Sequence, residues 1–292
     1  MAASTDSLTE RDVDSSDLLK RYRQIRNDSR RLIEPLSPED ACVQSMPDAS
    51  PSKWHLAHVT WFFETFILES NMSGFQAYDE AYRVLFNSYY NGVGEQYPRP
   101  RRGMITRPGL AEVLQYRDAI DSKMESVIVG ASPEVAGLIE LGLHHEQQHQ
   151  ELLLMDIKHL LSHNPLYPAY CERVVETAPR KSEHSWHQFS ERLAEVGADG
   201  NQFHFDNEGP RHRTWLDAFE LGSSLVTNGD YLEFINDAGY QSPLLWLADG
   251  WGAVNDNQWR APLYWRKIEG QWFEFTLHGL EPLDLDQPVC HV

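Results

Sequence analysis

The sequence predicts an α+β protein, a bundle of long helices followed by a small irregular domain of short strands. Two observations carry this expectation. Apolar residues recur at helical spacing only up to about residue 165, and beyond it the apolar and aromatic runs shorten and are separated by Gly, Asn and Asp turns. Before the change, the periodic segments run from Ser7 to Ile33, Lys53 to Met72, Gly109 to Val129 and Pro133 to Ser162, with Pro-, Ser- and Gly-rich turns between them. Asn164-Pro165 and Tyr167-Pro168 close the last helix, because the residue before a proline is driven out of the α region. We therefore expect a bundle over 1–165, a charged linker over 166–185 and a second domain over 186–292. In that second domain, Phe203-His204-Phe205, Trp215 to Leu221 and Trp272 to Leu277 are the strand candidates, and Asn228 to Ala238 is the one expected helix.

Composition narrows the partners. The 292 residues carry a formal net charge of −19, which repels a phosphate backbone and an anionic membrane surface, so neither nucleic acid nor membrane is an expected partner. No stretch approaches the roughly 20 apolar residues of a membrane span, and Met1 to Glu10 lacks the basic start and apolar centre of a signal peptide. A cytoplasmic location follows as the expectation. Cys42, Cys171 and Cys290 lie far apart with no CxxC pairing, which suggests neither a disulfide framework nor a thiolate zinc site.

The chemistry is concentrated in Leu143-His144-His145-Glu146-Gln147-Gln148-His149, where a four-residue spacing on a helix aims His145 and His149 at one point. A metal is the natural occupant of that point, and it needs at least one more ligand from a facing helix. Trp54-His55-Leu56-Ala57-His58 offers His55 and His58, which spacing alone does not separate. The run His145-Glu146-Gln147-Gln148-His149 also matches HExxH, in which a glutamate serves a zinc peptidase as general base, although the Gly and His of the extended motif do not follow.

Taken in order, Trp54-His55-Leu56-Ala57-His58, Asn87-Ser88-Tyr89-Tyr90-Asn91 and His145-Glu146-Gln147-Gln148-His149 resemble the non-haem iron sulfoxide synthases of ergothioneine biosynthesis. Phe205-Asp206-Asn207-Glu208, Val226-Thr227-Asn228-Gly229-Asp230-Tyr231, Gly239-Tyr240 with Leu244 to Trp251, and Pro288-Val289-Cys290-His291-Val292 resemble the formylglycine-generating-enzyme-like domain of the same family. The resemblance implies a DinB-like four-helix bundle followed by a domain of C-type-lectin-like character. Members of the family extend past the position of Val292, so it also implies that only the N-terminal part of the second domain is present and that activity is in question.

Carried over residue by residue, the resemblance makes His58, His145 and His149 the ligands of Fe(2+), with His55 a neighbour. Three protein ligands leave positions for a thiolate, an imidazole nitrogen and dioxygen to meet. The implied reaction joins the sulfur of cysteine or gamma-glutamylcysteine to the imidazole C2 of hercynine and oxidises that sulfur. Each of these changes supplies two electrons, so dioxygen is fully reduced and no further reductant is required. The Tyr89-Tyr90 pair reads from sequence alone as packing beside a turn. The resemblance instead places it at the site, with Tyr90 as catalytic proton donor and Tyr89 against substrate, in a segment more like the branch that uses free cysteine. Arg102, in the basic run Arg99-Pro100-Arg101-Arg102-Gly103, is the candidate for a substrate carboxylate. A zinc hydrolase or thiol transferase on the same histidines, and an inactive fragment, are the alternatives.

Overall fold

A computed structural model describes residues 15–173 and 184–292. They fall into two compact units, divided between Leu166 and Tyr167. The first is the expected bundle. Helix α1 (Ser15–Ile33) buries Leu18, Tyr22, Ile25, Arg26, Ser29 and Ile33, one stripe at helical spacing; residues 7–14 of the expected helix lie outside the described residues. Helix α2 (Ser52–Phe63) has no stripe, because all of its residues are buried, so it is the central helix of the bundle. It continues through a π-helical turn, Glu64–Leu68, into a last turn, Glu69–Asn71. Helix α3 (Leu110–Val129) buries Val113, Tyr116, Arg117, Ile120, Met124 and Ile128. Helix α4 (Pro133–Ser162) starts at Ser132, whose Oγ accepts from the Val135 amide, with Pro133 in the first turn where its missing N–H costs nothing.

Helices α1 and α2 each pack on both α3 and α4. Gly142 of α4 lets that helix approach α2 closely: a Cβ there would stand 2.8 Å from ring atoms of Phe62 and Phe63. The stretch from Met72 to Gly109 crosses the bundle with one helical turn, Tyr82–Leu85, and one 3-10 segment, Arg99–Met104.

The second unit is built of short antiparallel pairs. Strand β1 (Trp186–Phe189) pairs with β4 (Phe219–Gly222), β2 (Arg192–Val196) pairs with β3 (His212–Leu216), and β5 (Trp265–Ile268), β6 (Gln271–Thr276) and β7 (Gly279–Pro282) form a meander. Glu269 and Gly270, both at positive φ, make the two-residue turn between β5 and β6. Helices α5 (Asn228–Asn236) and α6 (Ala248–Asp256) complete the unit, whose core includes Tyr240, Val254, Tyr264, Trp265 and Phe275. Trp186, Leu193, Trp215 and Leu221 are each more than half exposed.

Three expectations for this region are corrected. Phe203 to Phe205 is not a strand: the Phe205 amide donates to Glu208 Oε2, turning the backbone into a 3-10 segment, Asp206–Glu208. The Trp215–Leu221 run is two strands rather than one, broken at Asp217, whose carboxylate accepts from Trp215 Nε1. Tyr167 to Cys171, expected as linker, is held on the second unit, where the Tyr170 and Cys171 amides donate to the Leu277 carbonyl. Among the described residues, no helix is long and apolar enough to cross a membrane.

Candidate metal centre

The bundle brings three histidines to one point. His58 comes from α2, and His145 and His149 come from successive turns of α4; one nitrogen from each lies within 4.8 Å of the others, and all three rings are buried. Centroids are separated by 5.1 Å for His58 and His145, 4.7 Å for His58 and His149, and 4.6 Å for His145 and His149. Gly142, where α4 comes close to α2, lies three residues before His145.

The electrostatics favour neutral imidazoles. Burial, then the charge of neighbouring His145, pushes His58 well below its ordinary value; burial alone brings His145 down to about 4; burial and then His58 lower His149. His58 Nε2 and both ring nitrogens of His145 have no hydrogen-bond partner among the described residues. Buried polar atoms are normally paired, so a cluster of orphaned lone pairs calls for a cation. Three neutral nitrogen donors that converge in this way fit Fe(II), and they fit Zn(II) by the same criterion.

Two of the three rings, His58 and His149, are held from outside the cluster. His58 Nδ1 lies 2.6 Å from the Phe86 carbonyl oxygen, so that nitrogen carries the proton and Nε2 faces the cluster. The His58 ring lies parallel to Trp54 at 4.7 Å and 9°, and close to parallel to Trp61 at 5.6 Å and 17°. His149 Nδ1 is 2.8 Å from His55 Nδ1, and His55 Nε2 is 2.9 Å from Asp156 Oδ2. His55 therefore lies against His149, outside the converging set.

The other expected site residues are distributed around this centre. Tyr90 lies with its ring 6.4 Å from His58 and 5.5 Å from Trp61, and burial followed by the neighbouring Tyr89 pushes its phenol up to about 12. Its backbone is fixed by fully buried Asn87, whose Oδ1 accepts from the Tyr90 amide and whose Nδ2 donates to the Tyr90 and Glu95 carbonyls. Tyr89 stacks on Tyr90 at 5.7 Å and is 54% exposed. Arg102 is buried: its guanidinium lies 3.4 Å above the Trp54 ring, and its terminal nitrogens donate to Ser50 Oγ at 2.9 Å and Ser88 Oγ at 3.0 Å. Its Nε is buried with no hydrogen-bond partner among the described residues.

Glu146 is turned away from any role as a base. It is fully buried, Arg26 donates to Oε2 at 2.9 Å, Ser29 to Oε1 at 2.6 Å, and Arg117 also donates to Oε1. Burial alone would raise its carboxyl, but Arg117 and Arg26 override that and hold it at about 2. Arg26 also donates to Asp121 and to Thr60, so the network joins α1, α2, α3 and α4. Sequence reasoning missed Asp156, Asn87 and the two tryptophan walls. The seven-residue interval from His149 to Asp156, two helical turns on one face, is the signal that points to the first of these.

The two halves of the chain are each similar to a known domain type. Residues 21–153 match the DinB superfamily, and residues 185–292 match the Sulfatase-modifying factor enzyme 1-like domain. The chain thus joins these two domain types in the order the motif resemblance implied. Over most of its length it is similar to enzymes named hercynine oxygenase. It is 26% identical to that of Mycobacterium tuberculosis over 266 residues, 90% of this chain and 60% of the relative. It is 24% identical to that of Mycolicibacterium thermoresistibile over 287 residues, 95% of this chain and 60% of the relative. An 87-residue segment, 30% of this chain and 20% of the relative, is 36% identical to that of Mycolicibacterium smegmatis. The chain spans about 60% of the length of the first two. The resemblance to sulfoxide synthases of ergothioneine biosynthesis is borne out by these relatives.

Proposed function

We propose that this chain is an O2-dependent non-haem Fe(II) sulfoxide synthase that joins the sulfur of cysteine, or of gamma-glutamylcysteine, to the imidazole C2 of hercynine. One observation carries the reading: three buried, neutral histidines converge from two helices, with a protonated phenol beside them. His58, His145 and His149 would hold the iron, which when bound supplies open coordination positions at which thiol, imidazole and dioxygen meet.

The remaining work belongs to the chain. Burial keeps the proton on Tyr90 Oη through neutral pH, so this phenol is the proton donor of the reaction. Asn87 fixes the Tyr90 backbone, and Trp61, Phe62 and Phe66 surround its ring, which positions Oη and excludes water from its flank. Tyr89 and Arg102 are the substrate contacts in this reading, Tyr89 on the exposed side and Arg102 through guanidinium N–H groups that its two serine bonds leave unused. The C–S bond and the sulfoxide account for four electrons, so one dioxygen yields the sulfoxide and one water.

Zinc hydrolysis on the same motif is disfavoured by Glu146, whose carboxylate oxygens are committed to Arg26, Ser29 and Arg117. The deciding experiment is oxygen uptake by the anaerobically Fe(II)-loaded protein with hercynine plus each thiol, and with each substrate alone, with mass detection of product. Uptake that requires both substrates and a sulfoxide product supports the reading, and the thiol that is consumed settles the branch. No uptake by a protein that has bound iron overturns it.

A further inference from the structure

We propose that Asp156 and His55 are positioning residues that dictate which nitrogen His149 presents to the metal; this rests on the three-histidine metal reading above. His149 Nδ1 and His55 Nδ1 are 2.8 Å apart, and a hydrogen bond between two ring nitrogens requires one to carry the proton and the other to be bare. The other end of His55 decides which. Its Nε2 is 2.9 Å from Asp156 Oδ2, and a carboxylate only accepts, so the His55 proton sits on Nε2 and its Nδ1 is bare. His149 Nδ1 then has to donate, which leaves the lone pair of His149 on Nε2, the nitrogen available to the cluster. The opposite polarity would put a proton on His149 Nε2 and remove it as a ligand.

The arrangement is built to hold this polarity. The Ser50 amide donates to the same Asp156 oxygen at 2.8 Å, fixing the carboxylate, and the His55 and Asp156 side chains are only 4% and 15% exposed. Asp156 lies two turns beyond His149 on α4, and His55 lies three residues before His58 on the facing helix, so the relay forms only when α2 and α4 are docked in register. An accepting partner on the outer nitrogen also raises the basicity of a ligand imidazole and fixes its ring plane. His58 receives the same treatment from the Phe86 carbonyl, whereas His145 has no such partner among the described residues.

The test is titration of the metal-free chain with Co(II), reading affinity by chelator competition and ligand field by the visible d–d bands. His55→Phe and Asp156→Leu are expected to bind one Co(II) per chain with affinity lowered about 10- to 100-fold and with shifted bands. His55→Asn is expected to restore most of the affinity, because its carboxamide oxygen takes the place of Nδ1 and accepts from His149. Circular dichroism checks the fold, and the Asp156→Leu and His55→Asn pair carries the test if His55→Phe does not fold. Affinities and spectra within about twofold of wild type for both His55→Phe and Asp156→Leu would overturn the relay alone. Unchanged binding by His58→Ala and His149→Ala would instead overturn the metal reading beneath it. Loss of binding in His55→Phe but not in His149→Ala would make His55 the ligand and also overturn the relay.

Discussion

The Nδ1 atom of His58 lies 2.6 Å from the carbonyl oxygen of Phe86, and this contact commits the ring's proton to the side away from His145 and His149. The carbonyl belongs to the residue just before Asn87, which is fully buried and ties down the Tyr90 backbone. One short segment therefore both orients His58 and places the phenol beside it. That is the physical link between the Asn87–Asn91 motif and the histidines, which the sequence shows only as separate strings.

Metal binding should stabilise the bundle, because a ligand that binds only the folded state adds about 2.7 kcal/mol at a hundredfold excess over its Kd. For a unit of this size, each kcal/mol shifts Tm by roughly 2–4 °C. Calorimetry with and without Fe(II) or Co(II) should therefore show a rise of several degrees, and His58→Ala should abolish the rise.

Glu146→Gln should destabilise the protein by about 3–5 kcal/mol, since it leaves Arg26 and Arg117 buried without their shared counter-charge. Urea denaturation of the metal-free chain measures this directly. A peptidase base would behave differently: its loss would remove hydrolysis and leave stability close to wild type.

At Gly142, alanine has better helix propensity, but its Cβ would stand 2.8 Å from both Phe62 and Phe63. Overpacking should win, at a cost of about 1–3 kcal/mol. Because relief of this clash would move α4 relative to α2, which carry the three histidines, Gly142→Ala should also weaken Co(II) binding, which titration would detect.

Acid should loosen the metal-free protein as its buried neutral histidines are forced to take up protons. His145 falls from about 6.5 in the unfolded chain to about 4 when folded, so between these values the unfolded state holds more protons. Stability is then complete above about pH 6.5 and declines towards pH 4, at up to about 1.4 kcal/mol per pH unit for each such histidine. Denaturation midpoints across this range should show the slope, and His145→Asn should make it shallower.

Tyr90→Phe should lower turnover by roughly 10²- to 10⁴-fold, the usual contribution of a positioned proton donor, while keeping the ring packing against Trp61 and Phe66. Its affinity for Co(II) should stay within about twofold of wild type, because its ring lies beside His58 without a bond to it.

The sequence by itself determined the helical half and the convergence of the His145–His149 pair. The stripes of α1 and α3 and the capped start of α4 are set by local periodicity and by Ser132-Pro133, and the His145–His149 spacing is a property of any helix. The resemblance of the motifs supplied the expected third ligand. Strands were less legible: β3 and β4 were read as one run, and Phe203 to Phe205 as a strand, because short runs are defined by which partner they pair with.

Spacing alone did not separate His55 from His58, which occupy the same helix three residues apart, and the tertiary structure gives them different surroundings. The docking of α2 against α4 turns His58 into the cluster and sets His55 between His149 and Asp156. The same docking converts Glu146 from a candidate base into the centre of a buried ion network, and packs Arg102 flat on Trp54. Spacing along a helix fixes which residues share a face, but what that face meets is set by the approach of another helix, here close at Gly142.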